Sequence, residues 1–597
     1  MGTSGAGNPN AAANSAARKP FRIVLIKPSH YDDDGYVIRW YRSTMPSNSL
    51  ASVYALVLDA VGRGVLGDRD VTVTAIDETN TRVHIGRIVS EFRGGAEGFV
   101  GLVGVQSNQY PRALDIARPL RAAGIPVVIG GFHVSGLLSM FDHLMPDLQT
   151  ALDMGISLFA GEAEGRMDLV LGDAVNGTLK PVYNYIEGLP ALENTITPFL
   201  PQSHVRRTIG NMTSFDAGRG CPFQCSFCTI INVQGRQSRR RSPDDVERIL
   251  RQNWAQGVDR YFITDDNFAR NKDWEIIFDR IIRLREEEGM DVRFMIQVDT
   301  LCHRIPRFIE KAKRAGVTRI FIGLENINPE NLMAAKKRQN KITEYRKMLL
   351  AWKAAGIWTY AGYILGFPGD TPEAIRHDIG IIKREMPLDI LEFFFLTPLP
   401  GSEDHKTLSL KGVAMDPDLN KYDLEHAVTA HPKMSKREWE QIYWDAWQIY
   451  YTPEHIATIL KRAKASGVAI YRLMVIILWF ASSLRVEKVH PLQGGILRFK
   501  NRRERRPELP MESPFAFYPR LAAEFFVKNA QILREAWRIR RICDRVEADP
   551  ANRTYTDVAM TPVSDDDTEN LEMYTHNAGA RDAVAHAHKI RTLTAAV

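Results

Sequence analysis

The first part of the chain alternates short apolar runs with amphipathic segments. Apolar runs of strand length begin near Phe21, Val71, Phe99, Ile125 and Ile156, and segments with helical periodicity separate them. Near-continuous apolar strands between helices are typical of a parallel sheet that is covered on both faces. We therefore predict an α/β domain with a doubly wound, five-stranded parallel sheet over residues 20–175, with ligands at the carboxyl ends of its strands.

A second series of strands and helices follows a linker at residues 176–205, which is rich in proline and polar side chains. Six strand-and-helix units occupy residues 206–425, and they predict a partial (β/α)6 barrel with its chemistry at the C-terminal mouth of the strands. Ser242 is a good N-cap for the first barrel helix. Residues 426–548 have a helical pattern and predict a C-terminal helical domain, followed by a polar tail at 549–597.

The N-terminal residues 1–19 lack the apolar core of a signal peptide and predict a disordered tail. The longest apolar run, residues 473–481, is too short to span a membrane, and a buried core helix is its favoured interpretation. We expect a cytoplasmic protein. The alternative is peripheral contact with an anionic membrane through Trp479, Phe480 and the basic residues 500–506.

Composition narrows the class of protein. Hydrophobic residues make up 45% of the 597 positions and charged residues 25%, which is ordinary for a globular protein. The net charge of +6 is mild, and no nucleic-acid-binding motif accompanies it, so we expect no nucleic-acid partner. Five cysteines are too few for a disulfide framework. Cys302 and Cys543 stand alone and are expected to be buried and inert.

The other three cysteines form the most specific motif in the sequence. Cys221, Cys225 and Cys228 fall within eight residues, directly after the first predicted barrel strand. Three thiolates in one tight loop can bind a cubane iron–sulfur cluster and leave one iron open to a small chelating molecule. A zinc site or a four-cysteine cluster is the alternative, but each needs a fourth ligand and no further cysteine lies nearby.

This spacing, with Phe227 before the last cysteine, resembles the radical S-adenosylmethionine superfamily. The resemblance implies a [4Fe–4S] cluster on Cys221, Cys225 and Cys228, which binds and reductively cleaves S-adenosylmethionine. It also implies a one-electron reductant of the flavodoxin or ferredoxin type. Further residues match positions where the family contacts S-adenosylmethionine at the ends of the second, fourth and fifth strands: Asp265, Asp266, Asn267, Glu325 and Gly366.

The first domain resembles the cobalamin-binding domain of the cobalamin-dependent branch of that superfamily. The resemblance implies cofactor contacts at the strand ends from Ser107, Gly130, Gly131, Gly161 and Glu162. Many cobalamin proteins ligate cobalt through a DxHxxG motif. Here His30 keeps the histidine place, but Pro28 replaces the aspartate and Asp33 the glycine. Because a ligating histidine needs an orienting partner, we expect cobalamin without a histidine ligand.

Two weaker alternatives remain for this domain and its residues. A dinucleotide-binding or flavin-binding sheet is the alternative to cobalamin, although no GxGxxG follows the first strand. His133 is expected to pack or to support its neighbours rather than to ligate a metal.

Taken together, the resemblance implies methylation of an unactivated carbon in a small-molecule or lipid-like substrate, through methylcobalamin and a 5′-deoxyadenosyl radical. One alternative is an oxidative cyclase of the anaerobic porphyrin-ester cyclase type. The other is a non-catalytic cobalamin-binding protein. No catalytic side chain is predicted.

Overall fold

The computed structural model describes residues 18–562 and 570–595. Most of the predicted N-terminal tail, residues 1–17, lies outside the described residues. The described chain has the predicted α/β organisation, with two parallel sheets followed by helices.

The first sheet has six parallel strands, one more than predicted. The N-terminal strands are β1 (Lys19–Lys27), β2 (Trp40–Ser43), β3 (Arg69–Asp77), β4 (Glu97–Leu102), β5 (Val127–Gly130), β6 (Ser157–Ala160) and β7 (Val182–Asn184). The sheet order is β3-β1-β4-β5-β6-β7, and β2 lies outside it. The additional strand β7 comes from the predicted linker. Only three residues long, it pairs with β6 at the sheet edge and was too short to give an apolar pattern.

Helices cover both faces of this sheet, as the apolar pattern requires. They are α1 (Asn48–Gly62), α2 (Ile85–Arg93), α3 (Tyr110–Ala122), α4 (Phe132–Met140), α5 (Pro146–Asp153) and α6 (Met167–Asn176). In β1, Ile23 and Leu25 belong to one buried cluster, whereas Val24 and Ile26 belong to another. Alternate side chains of a strand point to opposite faces, so the two clusters lie on opposite sides of the sheet.

The second sheet is the predicted partial barrel. Its six parallel strands follow one another in chain order: β8 (Met212–Phe215), β11 (Arg260–Ile263), β12 (Arg293–Val298), β13 (Val317–Glu325), β14 (Trp358–Leu365) and β15 (Ile390–Phe395). Between β8 and β11, the short strands β9 (Gly218–Arg219) and β10 (Arg239–Arg240) form an antiparallel pair that frames the cysteine loop.

Helices precede, connect and follow the barrel strands. They are α7 (Gln202–Val205), α8 (Ile230–Val233), α9 (Pro243–Ala255), α10 (Trp274–Glu286), α11 (Phe308–Arg314), α12 (Pro329–Ala334), α13 (Ile342–Ala354), α14 (Pro372–Glu385) and α15 (Glu403–Leu410). Ser242 caps α9 as predicted, because its Oγ accepts the N–H of Asp245 at 3.1 Å while Asp245 accepts the N–H of Ser242.

The C-terminal region is helical and packs on the barrel. It contains α16 (Lys436–Tyr450), α17 (Pro453–Ala465), α18 (Ile470–Ser482), β16 (Gly495–Arg498), α19 (Pro514–Ala548), α20 (Glu572–Thr575) and α21 (Ala578–Ala595). The predicted polar tail contains α20 and α21, and Glu385 of α14 accepts the N–H groups of Glu572 and Met573. In the apolar run, Phe480 is buried and Trp479 is half-buried, so α18 is a core helix, the favoured interpretation.

Candidate functional site

The cysteine loop starts where the first barrel strand ends, and a buried carboxylate fixes that start. Oδ1 of Asp265 accepts the N–H groups of Ala217 and Gly218 at 2.7 and 2.8 Å, and Oδ2 accepts Nδ2 of Asn271 at 3.1 Å. Burial raises the pKa of Asp265 to about 7. Protein donors occupy both carboxylate oxygens of Asp265. Its side chain therefore holds the cysteine loop in place and has no oxygen left for a ligand.

Cys221 and Cys228 are poorly suited to be free thiolates. Burial, with a contribution from the charge of Asp266, raises the pKa of Cys221 to about 11 and that of Cys228 to about 12. Bound metal ions would stabilise the thiolate, which is the form in which cysteine ligates a metal. In residues 18–562 and 570–595, no three His, Cys, Asp or Glu side chains meet closely enough to share one metal ion. A [4Fe–4S] cluster differs from such a site, because each of the three thiolates would bind a different iron.

Two side chains beside the cysteines were not predicted. Nε2 of Gln339 lies 3.4 Å from Sγ of Cys225. Lys337 forms an ion pair with Glu325, and its Nζ lies 5.6 Å from the ring centroid of Phe227. Burial alone would lower the pKa of Lys337, but Glu325 and the nearby cysteines raise it. In the sequence, the polar run at 336–340 could have indicated these two residues, because it follows Glu325 after a single short helix.

The end of β11 also presents polar groups near the loop. Burial and the neighbouring Asp265 raise the pKa of Asp266 to about 7. Asn267 donates Nδ2–H to Oδ2 of Asp299 at 2.9 Å, while its buried Oδ1 has no hydrogen-bond partner among the described residues. An unpaired buried oxygen is costly, and a ligand with an N–H donor would satisfy it. Asn267 therefore has an oxygen available to a ligand, whereas both oxygens of Asp265 are occupied.

Gly366 is committed to internal packing. It has φ = 104°, and a Cβ built there would lie 2.0 Å from Cζ2 of Trp439 on α16. Nε1 of Trp439 donates to the carbonyl of Leu365 at 3.2 Å, and Asp370 accepts the N–H of Gly366 at 2.9 Å. The glycine thus allows the helical region to approach the end of β14.

A buried ion-pair network joins the first sheet to the cysteine loop. Arg219, two residues before Cys221, contacts Glu162 at 2.8 Å, Glu164 at 2.6 Å and Asp216 at 3.1 Å. All four side chains are almost fully buried, and Arg239 also pairs with Glu162. The attraction of the arginines outweighs burial and lowers the pKa of Asp216 to about 2. The turn after β6 is therefore clamped against the loop, a contact that the sequence did not predict.

A cavity lies beside this network, between the first sheet and helices α1 and α6. Its empty volume is about 1040 Å³, including the open mouth. Apolar side chains make up much of the wall, but Oγ of Ser52 and Oδ1 of Asn48 are buried there without a hydrogen-bond partner among the described residues. A large ligand with both apolar and polar parts would fit such a wall. Four predicted cofactor contacts line it: Gly130, Gly131, Gly161 and Glu162.

The other predicted residues of the first domain lie outside the cavity wall. Oγ of Ser107 lies 3.2 Å from Nδ1 of His133, whose ring packs on Tyr110 with the centroids 4.2 Å apart. Burial lowers the pKa of His133 to about 3, so its ring is neutral, and its buried Nε2 has no hydrogen-bond partner among the described residues. Burial likewise lowers the pKa of His30 to about 4, and His30 is not among the residues that line the cavity.

Comparisons with known proteins agree with this geometry. Residues 217–380 match the radical SAM superfamily, which implies a [4Fe–4S] cluster and S-adenosylmethionine. The bacteriochlorophyllide d C-8(2)-methyltransferase of Chlorobaculum tepidum is 26% identical over 352 residues, which are 56% of this chain and 73% of that protein. The hopanoid C-2 methylase of Rhodopseudomonas palustris is 25% identical over 309 residues, covering 50% of this chain and 56% of that protein.

A solved structure shares the fold. The radical S-adenosylmethionine methyltransferase TsrM from Kitasatospora setae, solved with cobalamin and a [4Fe–4S] cluster bound, superposes with a TM-score of 0.53. The match covers 72% of this chain and 89% of that chain at 15% identity. Residues 217–380 therefore form a radical S-adenosylmethionine domain, and the chain is similar to methyltransferases of that superfamily.

Proposed function

We propose that the chain transfers a methyl group to a carbon atom of a small-molecule or lipid-like substrate, using a [4Fe–4S] cluster, S-adenosylmethionine and cobalamin. The observation that carries the proposal is the Arg219 network, which fixes the cavity of the first sheet beside the loop of three cysteines. When bound, these cofactors supply the radical and methyl-transfer chemistry, and the protein supplies their positions.

The roles of the protein side chains follow from their contacts. Cys221, Cys225 and Cys228 would hold the cluster, and Asp265 fixes the backbone that presents them. Asp266 and Asn267 would receive the amino group of S-adenosylmethionine. The cavity would hold the apolar and polar parts of cobalamin, which we expect to bind without a ligand from His30.

The proposed reaction needs an electron donor and a substrate. A one-electron reductant of the flavodoxin or ferredoxin type would deliver electrons to the cluster. The related proteins are named for bacteriochlorophyllides and a hopanoid, so we propose a pigment-like or lipid-like substrate and peripheral contact with a membrane. No helix among the described residues is long and apolar enough to cross a bilayer. The two alternatives, an oxidative cyclase and a non-catalytic cobalamin protein, are not favoured by these relatives.

Product analysis tests the proposal. The reconstituted protein would be incubated anaerobically with S-adenosylmethionine, methylcobalamin, a reductant and an extract that contains candidate substrates. We expect a product heavier by one methyl group, and no product from Cys225→Ala, which lacks one cluster ligand. A gain of oxygen or loss of hydrogen would indicate the cyclase instead. Absence of both deoxyadenosine and methylated product would favour the non-catalytic protein.

A further inference from the structure

The long helix α19 exposes a stripe of large apolar side chains. Phe515 is 91% exposed, Phe526 71% and Trp537 61%, and Tyr518 and Leu533 are also exposed. Successive members are separated by 3, 8, 7 and 4 residues, so all five lie on one side of the helix. Contiguous exposed apolar surface of this kind marks an interaction site in a soluble domain.

The stripe is not required for packing α19 on the protein. The buried residues of α19 include Glu535, Ile539, Ile542 and Val546, which recur with the same helical period on a different face. That face packs on α17 and α18. The aromatic stripe therefore points away from the body of the protein, and its exposure has no structural explanation within the described chain.

A basic cavity adjoins the start of the stripe. It has about 900 Å³ of empty space and includes Tyr518 in its wall. Its wall contains five basic residues: Arg39, Arg82, Arg207, Lys500 and Arg502. Three of them pair with carboxylates outside the wall, Arg39 and Arg82 with Glu504 and Lys500 with Asp32 and Asp34, so the uncompensated charge comes from the other two. Arg207 donates to the Asn80 carbonyl and to Thr81, and Arg502 donates to the Glu512 carbonyl. Neither of these two guanidinium groups pairs with a carboxylate of the described residues.

We propose that this surface, made of the aromatic stripe of α19 and the adjoining basic cavity, binds the face of an anionic phospholipid membrane. Aromatic side chains would enter the interface, while the guanidinium groups would contact phosphate headgroups. Arg541 supports this arrangement, since its guanidinium lies 4.7 Å from the ring centroid of the exposed Trp537.

Charge and position favour an anionic membrane as the partner of this surface. Anionic lipid would complement Arg207 and Arg502, the two arginines of the cavity that have no carboxylate partner among the described residues. Asn80 lies just after β3, and Nε of Arg39 donates to the carbonyl of Glu78 beside it, so the cavity lies near the carboxyl edge of the first sheet. The inference deepens the membrane contact proposed above by assigning it to a defined surface, and vesicle binding can be measured whether or not methyl transfer is found.

Vesicle flotation tests the proposal on the full-length protein. Vesicles of equal parts phosphatidylglycerol and phosphatidylcholine would be compared with pure phosphatidylcholine at low and high salt. We expect flotation with the anionic vesicles at low salt only. The double variant Phe526→Ser/Trp537→Ser should bind about tenfold more weakly. Arg207→Gln/Arg502→Gln should bind more weakly and with a smaller salt dependence.

Leu410→Ser is the matched control, because Leu410 is exposed on α15, outside the proposed surface. Its flotation should equal that of the wild type, and unchanged melting temperatures would show that all variants fold. Wild-type protein that stays unbound at low salt would overturn the proposal, as would equal flotation of the stripe variant. A concentration-dependent dimer that the stripe variant abolishes, without vesicle binding, would assign the surface to a second copy.

Discussion

Nε2 of Gln339 lies 3.4 Å from Sγ of Cys225, so a side-chain amide can donate a hydrogen bond to one of the three proposed cluster thiolates. Gln339 is separated from Cys225 by 114 residues in the sequence. The contact arises because both residues lie at the C-terminal mouth of the barrel, the cysteine after β8 and the glutamine after β13 and α12. Hydrogen bonds to cluster sulfurs are among the groups that set the reduction potential.

We therefore expect Gln339→Leu to make the cluster harder to reduce. Loss of one donor to the thiolate should lower the midpoint potential by tens of millivolts, roughly 1 kcal/mol for one electron. Potentiometric titration followed by electron paramagnetic resonance measures this without substrate. Gln441→Leu, the same change on the exposed surface of α16, should leave the potential unchanged. Equal potentials in wild type and Gln339→Leu would contradict the prediction.

Replacing Arg219 in its buried ion-pair network should strongly lower the free energy of unfolding. Arg219→Met leaves Glu162, Glu164 and Asp216 without one of their positive partners, and breaking a buried pair costs about 3–5 kcal/mol. Chemical denaturation measures the free energy of unfolding. Arg63→Met is the control, because Arg63 also pairs with two carboxylates but lies at the surface, where solvent screening leaves such pairs little effect on stability. Similar losses in the free energy of unfolding for Arg219→Met and Arg63→Met would contradict the prediction that burial makes the Arg219 network the more important one.

Gly366→Ala should be strongly destabilising because the added methyl group would collide with Trp439. Gly412 offers a close control: it also has positive φ, 65°, but a Cβ there would meet nothing within 4 Å. Gly412→Ala should cost about 1 kcal/mol from backbone strain alone, and Gly366→Ala should cost about 1–3 kcal/mol more from overpacking. The melting temperatures should separate the two. If they coincide, Gly366 is free for cofactor contact rather than committed to Trp439.

We expect the buried carboxyl group of Asp378 on α14 to make the free energy of unfolding depend on pH. Burial raises its pKa to about 7, and Asp370 adds to that rise, although the hydrogen bond from Tyr363 opposes it. The folded state therefore keeps a proton that the unfolded state releases, so stability should fall as pH rises from about 4 to about 7. The loss amounts to at most about 4 kcal/mol. Denaturation at pH 5 and pH 8 measures it.

Asp378→Asn should reduce this pH dependence, since the amide has no titrating proton and can still accept from the hydroxyl of Tyr363. Glu373→Gln, an exposed acid on the same helix, should keep the wild-type profile. An unchanged profile in Asp378→Asn would assign the pH dependence to other groups.

The alternation of strands and helices, the two parallel sheets and the six barrel strands were predicted correctly from the sequence, whereas β7 and the short antiparallel strands were not. Apolar runs such as that of β1 are buried on both faces, and this pattern is local in the chain. The cysteine spacing is equally local, because one loop supplies all three thiols. Cys302 and Cys543 are buried, as the sequence led us to expect.

The tertiary structure decided which polar residues share a site. Arg219 meets Glu162 and Glu164 across more than fifty residues, and Gln339 meets Cys225 across more than a hundred, so no local pattern reveals either contact. It also decided that Asp265 and Gly366 serve internal contacts, and that α19, rather than the apolar run of α18, exposes aromatic side chains. Periodicity indicates that a helix has an apolar side, but only packing shows whether that side is covered.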